Sequence, residues 1–184
     1  IASPSDVQVD AVAQSAGLGH VFARAPELDL VGVELRPDRV IPSALGSRLV
    51  RLEQRLNGVP VLGGGVIVQI EPSGSVRRVG VDVAGGLDVD TDPSLDAQQA
   101  EDALELTLGR AIPAAANAKL VVSRMGAGVL LWQLDVPARG SRYWVDAHDG
   151  ILIAARSLGI HALGTVYELN PLETPIPINV ELPL

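Results

Sequence analysis

Leu56-Asn57-Gly58-Val59-Pro60-Val61-Leu62-Gly63-Gly64 lies between two runs of alternating residues, and its reading decides the fold. Upstream, over Arg48 to Leu56, Val50, Leu52 and Leu56 share one face and Arg51, Glu53 and Arg55 the other, the pattern of a half-buried antiparallel strand. Downstream, Val66, Val68 and Ile70 resume the alternation. Asn57-Gly58 supplies the positive φ angles of a tight turn. Pro60 and the glycines at 63–65 predict an irregular connection before the second strand. No Gly-Lys-Ser/Thr follows those glycines, so they are no phosphate loop. They read as a bulge or a close backbone approach.

Working outward, Val31, Val33 and Leu35 have strand spacing, and Pro37 to Pro42 reads as a loop. Residues 5–25 read as helix, capped by Ser5 or Ser3, with Val9, Val12, Ala13 and Ala16 on one face. Gly17 and Gly19 predict a break in its second half, and Pro26 ends it. On the other side, Pro72-Ser73-Gly74 reads as a turn before a strand running to about Val83. Residues 84–94 form a loop rich in Gly and Asp. Asp96 and Gln99 then form a capping box, Leu95 and Ala100 a hydrophobic staple, and Ala97, Ala100, Leu104 and Leu108 the apolar stripe of a helix that Gly109 and Pro113 stop. Strands are expected over Leu120 to Met125 and Val129 to Val136 around Gly126-Ala127-Gly128. Two more are expected over Arg142 to Asp146 and Ile151 to Arg156 around Ala147-His148-Asp149-Gly150. Beyond Leu158, Pro171, Pro175, Pro177 and Pro183 forbid continuous helix and central strand, so this tail reads as an extended linker or a docked segment. The layout is helix then strands, twice, and the expectation is α+β with two separate sheets.

Composition narrows the function. The chain has 184 residues, 47% apolar and only 3% aromatic, so its core is aliphatic. A net charge of −8 disfavours nucleic acid and anionic membrane and suits a basic protein partner. Without Cys there is no disulfide, thiolate or cysteine zinc chemistry. No apolar run approaches the roughly 20 residues of a membrane-spanning helix. The start at Ile1-Ala2-Ser3-Pro4 without Met reads as a processed fragment, a lost signal peptide included, or as a cloning boundary.

Three motifs in order carry a family resemblance. The run from Arg51 to Val68 through Asn57-Gly58-Val59-Pro60-Val61-Leu62-Gly63-Gly64 resembles the fungalysin/thermolysin propeptide motif. The run from Leu87 to Ala100 resembles the linker and opening helix of the PepSY domain that follows in such propeptides. Tyr143-Trp144-Val145-Asp146-Ala147-His148-Asp149-Gly150 resembles that domain's closing hairpin. Gly65 stands where the family often has Glu, and the strand before Asn57 lacks the usual aromatics. The tail from Gly164 to Pro175 resembles a fungalysin-type junction between prodomain and protease.

The resemblance implies two small cystatin-like units, each an antiparallel sheet on one helix, plus a Pro-rich extended C-terminal tail. The division expected is 1–87 for the propeptide-motif unit, 88–157 for the PepSY-like unit and 158–184 for a linker toward a catalytic domain. It implies a non-catalytic prodomain that templates and inhibits a secreted zinc metalloprotease. The partner is then the cognate catalytic domain, which alone would hold zinc, and this chain carries no cofactor, no nucleic acid and no membrane contact. Asn57, Gly58, Pro60, Val61, Gly63, Gly64, Asp146 and Gly150 are expected to shape the motif. Leu158, Tyr167, Asn170, Pro171, Thr174 and Pro175 are the candidate protease contacts. A free-standing PepSY-type binding or scaffold module is the alternative, and a small-ligand carrier a third reading.

The residues themselves offer little other chemistry. His20, His148 and His161 are far apart and lack the His-Glu-x-x-His pattern of a zincin. Asp88, Asp90 and Asp92 have the opening spacing of a calcium loop, but Pro93 occupies its glycine place and Gln99 its glutamate place, so a solvated interdomain linker is expected. His148 beside Asp149 reads as a hairpin tip, and Trp132 and Trp144 as core or half-buried strand residues.

Overall fold

Asn57 and Gly58 adopt φ of 49° and 82°, and Leu56 faces Val59 across them, so the dipeptide makes the two-residue hairpin its chemistry favours. The computed structural model describes residues 4–43, 46–112, 117–158, 162–166 and 178–182. The hairpin joins β2 (Arg48–Leu56) to β3 (Val59–Ile70). The glycines do not form a connection before the second strand, as the sequence predicts; they lie inside β3. Val61–Gly64 stand opposite the single residue Gln54, a large special bulge of four residues against one between the Glu53–Gly65 and Arg55–Pro60 pairs. A Cβ on Gly65 would collide with the carbonyl oxygen of Leu52, and one on Gly64 would lie 2.5 Å from Gln54 Oε1. The glycines thus permit close backbone approach within the ladder.

Helix α1 (Pro4–Ala23) runs through Gly17 and Gly19 without the predicted break. Its inward face is Ala13, Gly17 and Val21, while Val9 and Val12 are exposed. A Cβ on Gly17 would meet Val50 at 3.3 Å, so this glycine lets the helix sit close on β2. Arg48 Nε reaches Asp10 Oδ1 at 2.8 Å and ties the two elements together. Strand β1 (Glu34–Pro42) covers the predicted Pro37–Pro42 loop. Among the described residues it pairs only with β2, and it shifts register between Pro37 and Arg39; an edge strand with a bulge tolerates proline's missing N–H. Val31, expected in that strand, precedes it and is exposed. β4 (Val76–Asp82) follows the Glu71–Ser75 turn and pairs with the far half of β3.

Helix α2 (Ala97–Leu108) has the capping box the sequence predicts: Asp96 accepts from Gln99 N and the Gln99 side chain accepts from Asp96 N. Gly109 ends it at φ 64°. Then come β5 (Asn117–Val122), β6 (Leu130–Val136), a single 3-10 turn (Pro137–Arg139), β7 (Ser141–Asp146) and β8 (Leu152–Ser157). β5 begins and ends earlier than Leu120 to Met125, because Ser123 already bonds back to Val129 and opens the turn. In the tail, β9 (Ala162–Val166) and β10 (Ile178–Leu182) pair antiparallel with each other.

The fold is α+β and mostly sheet, but the two expected sheets are one. Its order is β1-β2-β3-β5-β6-β7-β8, with β4 also on β3. The seam is a single parallel pair, Val61 with Val122, formed where the bulge frees β3 from β2. Each helix covers its own stretch of sheet. Val21, Val50, Leu52, Val66 and Val68 form the core under α1; Ala100, Leu104, Leu134, Val136, Tyr143 and Val145 form the core under α2. A third cluster, Val61, Val122, Leu130 and Ala147, fills the seam, and Leu87 and Val89 pack on it. The segment 84–94 keeps Asp88, Asp90 and Asp92 exposed, as a solvated linker would, while its half-buried Leu87 and Val89 help close the joint between the two stretches of sheet.

Candidate functional site

The two motifs that stand far apart in sequence meet at this seam. Leu56, Val59 and Val61 from the first hairpin and Ala147 from the last belong to the same cluster. At the first hairpin, the Glu34 carboxylate accepts the Gly58 N–H at 3.0 Å, Arg55 donates to the Gly58 carbonyl at 2.7 Å, and Asn57 donates to Thr91 Oγ1 at 3.3 Å. The Gly58 N–H is the main cause, with Arg36 beside it, of a Glu34 carboxyl held below its ordinary value. Pro60 pairs with Arg55, and Gly63 has φ 73° at the bulge.

At the last hairpin, Asp146 Oδ1 accepts the N–H groups of His148 at 2.8 Å and Asp149 at 3.3 Å. Gly150, at φ 77°, donates back to the Asp146 carbonyl. His148 Nδ1 lies 3.1 Å from Ser94 Oγ. Ala147 bonds to Leu130 on one side and to Leu95 on the other, so the turn is stitched to the start of α2. This is turn chemistry with its polar groups engaged by neighbours. Among the described residues no three His, Cys, Asp or Glu side chains are placed to hold a metal ion. In the acidic segment, Asp90 accepts from the Asp92 N–H, and Asp88 donates its own N–H to Ala127.

Gln54 was not singled out by the sequence reading. It is buried and clasps Ala84 twice, donating to its carbonyl at 2.7 Å and accepting its N–H at 2.8 Å. The signal available was a polar residue between Leu52 and Leu56 at an inward position. Arg124 on Asp82, at 2.6 Å, spans the two stretches of sheet and holds the Asp82 carboxyl below its ordinary value. Trp132 donates to the Leu95 carbonyl at 2.8 Å. An apolar groove of about 460 Å³ lies between α1 and the Ile70–Gly74 corner, lined by Val9, Val12 and Pro72. Leu158 is exposed and donates its N–H to Gly140. Tyr167, Asn170, Pro171, Thr174 and Pro175 lie outside the described residues.

Comparison with known families assigns the first hairpin. Residues 33–83 match the Fungalysin/Thermolysin Propeptide Motif. The match runs from the entry of β1 to the residue after β4, with the Asn57-Gly58 turn and the glycine bulge inside it. The motif is named for the propeptides of fungalysin and thermolysin, and it covers 51 of the 184 residues. No curated protein matches the chain. Among solved structures, the Bacillus megaterium YpeB C-terminal domain aligns with TM-score 0.40 and 11% identity, over 80% of this chain. The chain spans 66% of that one, just under two thirds. No helix among the described residues is long and apolar enough to cross a membrane.

Proposed function

We propose that this chain is the propeptide of a zinc metalloprotease exported as a precursor, and that it acts as an intramolecular chaperone and an inhibitor of the catalytic domain. The observation that carries the reading is the propeptide-motif match over 33–83. On this reading 1–87 is the motif unit, 88–157 a PepSY-like unit and 158–184 the passage to the catalytic domain, with both units cystatin-like. Zinc belongs to the partner, and this chain contributes no cofactor ligand. Leu158, Tyr167, Asn170, Pro171, Thr174 and Pro175 are the proposed protease contacts. Asn57, Gly58, Pro60, Val61, Gly63, Gly64, Asp146 and Gly150 are the proposed structural residues of the two motifs.

Physical chemistry supports both roles. A rigid sheet that binds the native catalytic domain stabilises it as any native-state ligand does. Proline-fixed φ angles lower the entropy lost when an extended segment enters a cleft. Covalent attachment raises the effective concentration, so a modest intrinsic affinity suffices before cleavage. The test mixes the separate chain with its mature protease. Inhibition of peptide hydrolysis at about micromolar chain, and faster recovery of activity from denatured protease, are expected. Hydrolysis and refolding both unchanged by the chain would remove the reading.

A further inference from the structure

Helix α1 covers one face of the first four strands, over Val50, Leu52, Val66 and Val68. The residues between these point the other way. Register sets Ile41, Leu49, Gln69 and Arg78 in one row across that outer face, and Arg39, Arg51, Ile67 and Gly80 in the next. An antiparallel sheet with one solvated face turns polar residues outward. Here Ile41 and Ile67 stand outward at 42% and 46% exposure, with Leu49 half-buried beside them. Two hollows of about 340 and 270 Å³ adjoin on this face and share Ile67 and Gly80. Gly80 lies inside β4 and its φ is not positive. A Cβ there would meet only the Ile67 carbonyl oxygen, at an ordinary 4.0 Å. Neither backbone angle nor crowding calls for this glycine, and glycine weakens a strand. Its use is to let another backbone or a ligand come close.

Charge says what comes close. The chain carries −8 overall, yet residues 33–83 hold seven arginines against five acids. On the outer face Arg39 and Arg51 share the one carboxylate of Asp38, at 3.7 and 3.3 Å. Arg78 is exposed and makes no ion pair with any described residue. The other acids nearby are engaged, Glu53 by Arg55 at 3.0 Å and Asp82 by Arg124 at 2.6 Å. The face is thus apolar at its centre and positive at its rim. We propose that it docks an acidic segment of the partner catalytic domain. An aliphatic side chain of that segment enters the hollow over Gly80, against Ile67 and Leu49. Carboxylates flanking it pair with Arg78 on one side and with Arg39 and Arg51 on the other, as charge-assisted hydrogen bonds. This inference rests on the propeptide reading and gives it a contact surface separate from the tail.

Two substitutions in the full chain test it. Gly80→Val fills the hollow with a better strand former, so its melting temperature is expected to equal or exceed the parent's. Arg78→Glu reverses a charge that no described residue pairs with, and it carries the test if the first variant unfolds. Each is titrated calorimetrically against the mature catalytic domain, with peptide hydrolysis followed separately, so that the face is judged by binding alone. Each is expected to weaken binding at least about ten-fold, and Arg78→Glu to flatten its salt dependence as well. Binding by the folded variants as tight as the parent's overturns the docking face and leaves the propeptide reading in place. Tighter binding by Arg78→Glu overturns it too, since the partner surface is then basic. A parent chain that does not bind the catalytic domain removes both the face and the reading. Dimers of the parent in sedimentation that Gly80→Val abolishes overturn it in favour of a second copy.

Discussion

At the residue scale, Gly65 is the most constrained position in the first hairpin. This backbone brings the Leu52 carbonyl to where a Cβ would sit. Any side chain must push β2 and β3 apart inside a buried ladder. Gly65→Ala is therefore expected to cost about 3 kcal/mol, read as a shift of the urea midpoint at unchanged slope; a loss below about 1 kcal/mol would contradict it. Glu34 gives the pH counterpart. Its folded pKa lies below the ordinary 4.5, so its stabilisation is fully present above that value and is lost as pH falls through the folded one. The stability gap between the parent and Glu34→Gln should hold at neutral pH and close in acid. It should be small, because a carboxylate about one-third exposed is screened. A gap that widens in acid would reverse the assignment.

At the scale of elements, local chemistry was legible and non-local roles were not. Asn57-Gly58, the Asp96 capping box and Gly150 act through their own turns, and the sequence alone places them. Asp96→Ala should accordingly cost about 1 kcal/mol, measured by thermal melting, and leave the rest of the fold unchanged. From the sequence, Gly17 and Pro37 read as breaks, because glycine and proline break isolated elements, and Gly63 to Gly65 as an irregular connection with a bulge or close backbone approach; only the last of these readings matches the fold. In the folded chain each is admitted by a distant neighbour: Val50 against the helix, a free edge on β1, Leu52 and Gln54 against the bulge. Gln54 was invisible for the same reason, since its partner is Ala84, thirty residues on. Gln54→Leu takes away the partner of the half-buried Ala84 N–H and carbonyl and should cost about 1–3 kcal/mol. It should also make the segment 84–94 an early site of proteolysis. An equally resistant segment would mean the clasp is not what holds it.

At the scale of the whole molecule, the third cluster makes the two halves share a core. They should unfold together. Far-UV circular dichroism reports both halves, whereas tryptophan fluorescence reports Trp132 and Trp144 in the second half alone. The two thermal curves are expected to coincide in the parent chain. Val89→Asp, which puts a charge against the seam cluster, should separate them. Separate curves in the parent would mean that the seam transmits no cooperativity.

The seam also sets an order of events as the chain folds. Every other neighbour in the main sheet is a sequence neighbour, closed by a turn or short connection. Val61 and Val122 must meet across about 60 residues. Hairpins of low contact order form fast, and the long-range closure comes late. A chain emerging from the ribosome can complete its first helix and four strands before β5 exists, leaving the N-terminal half of β3 with an open edge until the second half arrives to close it.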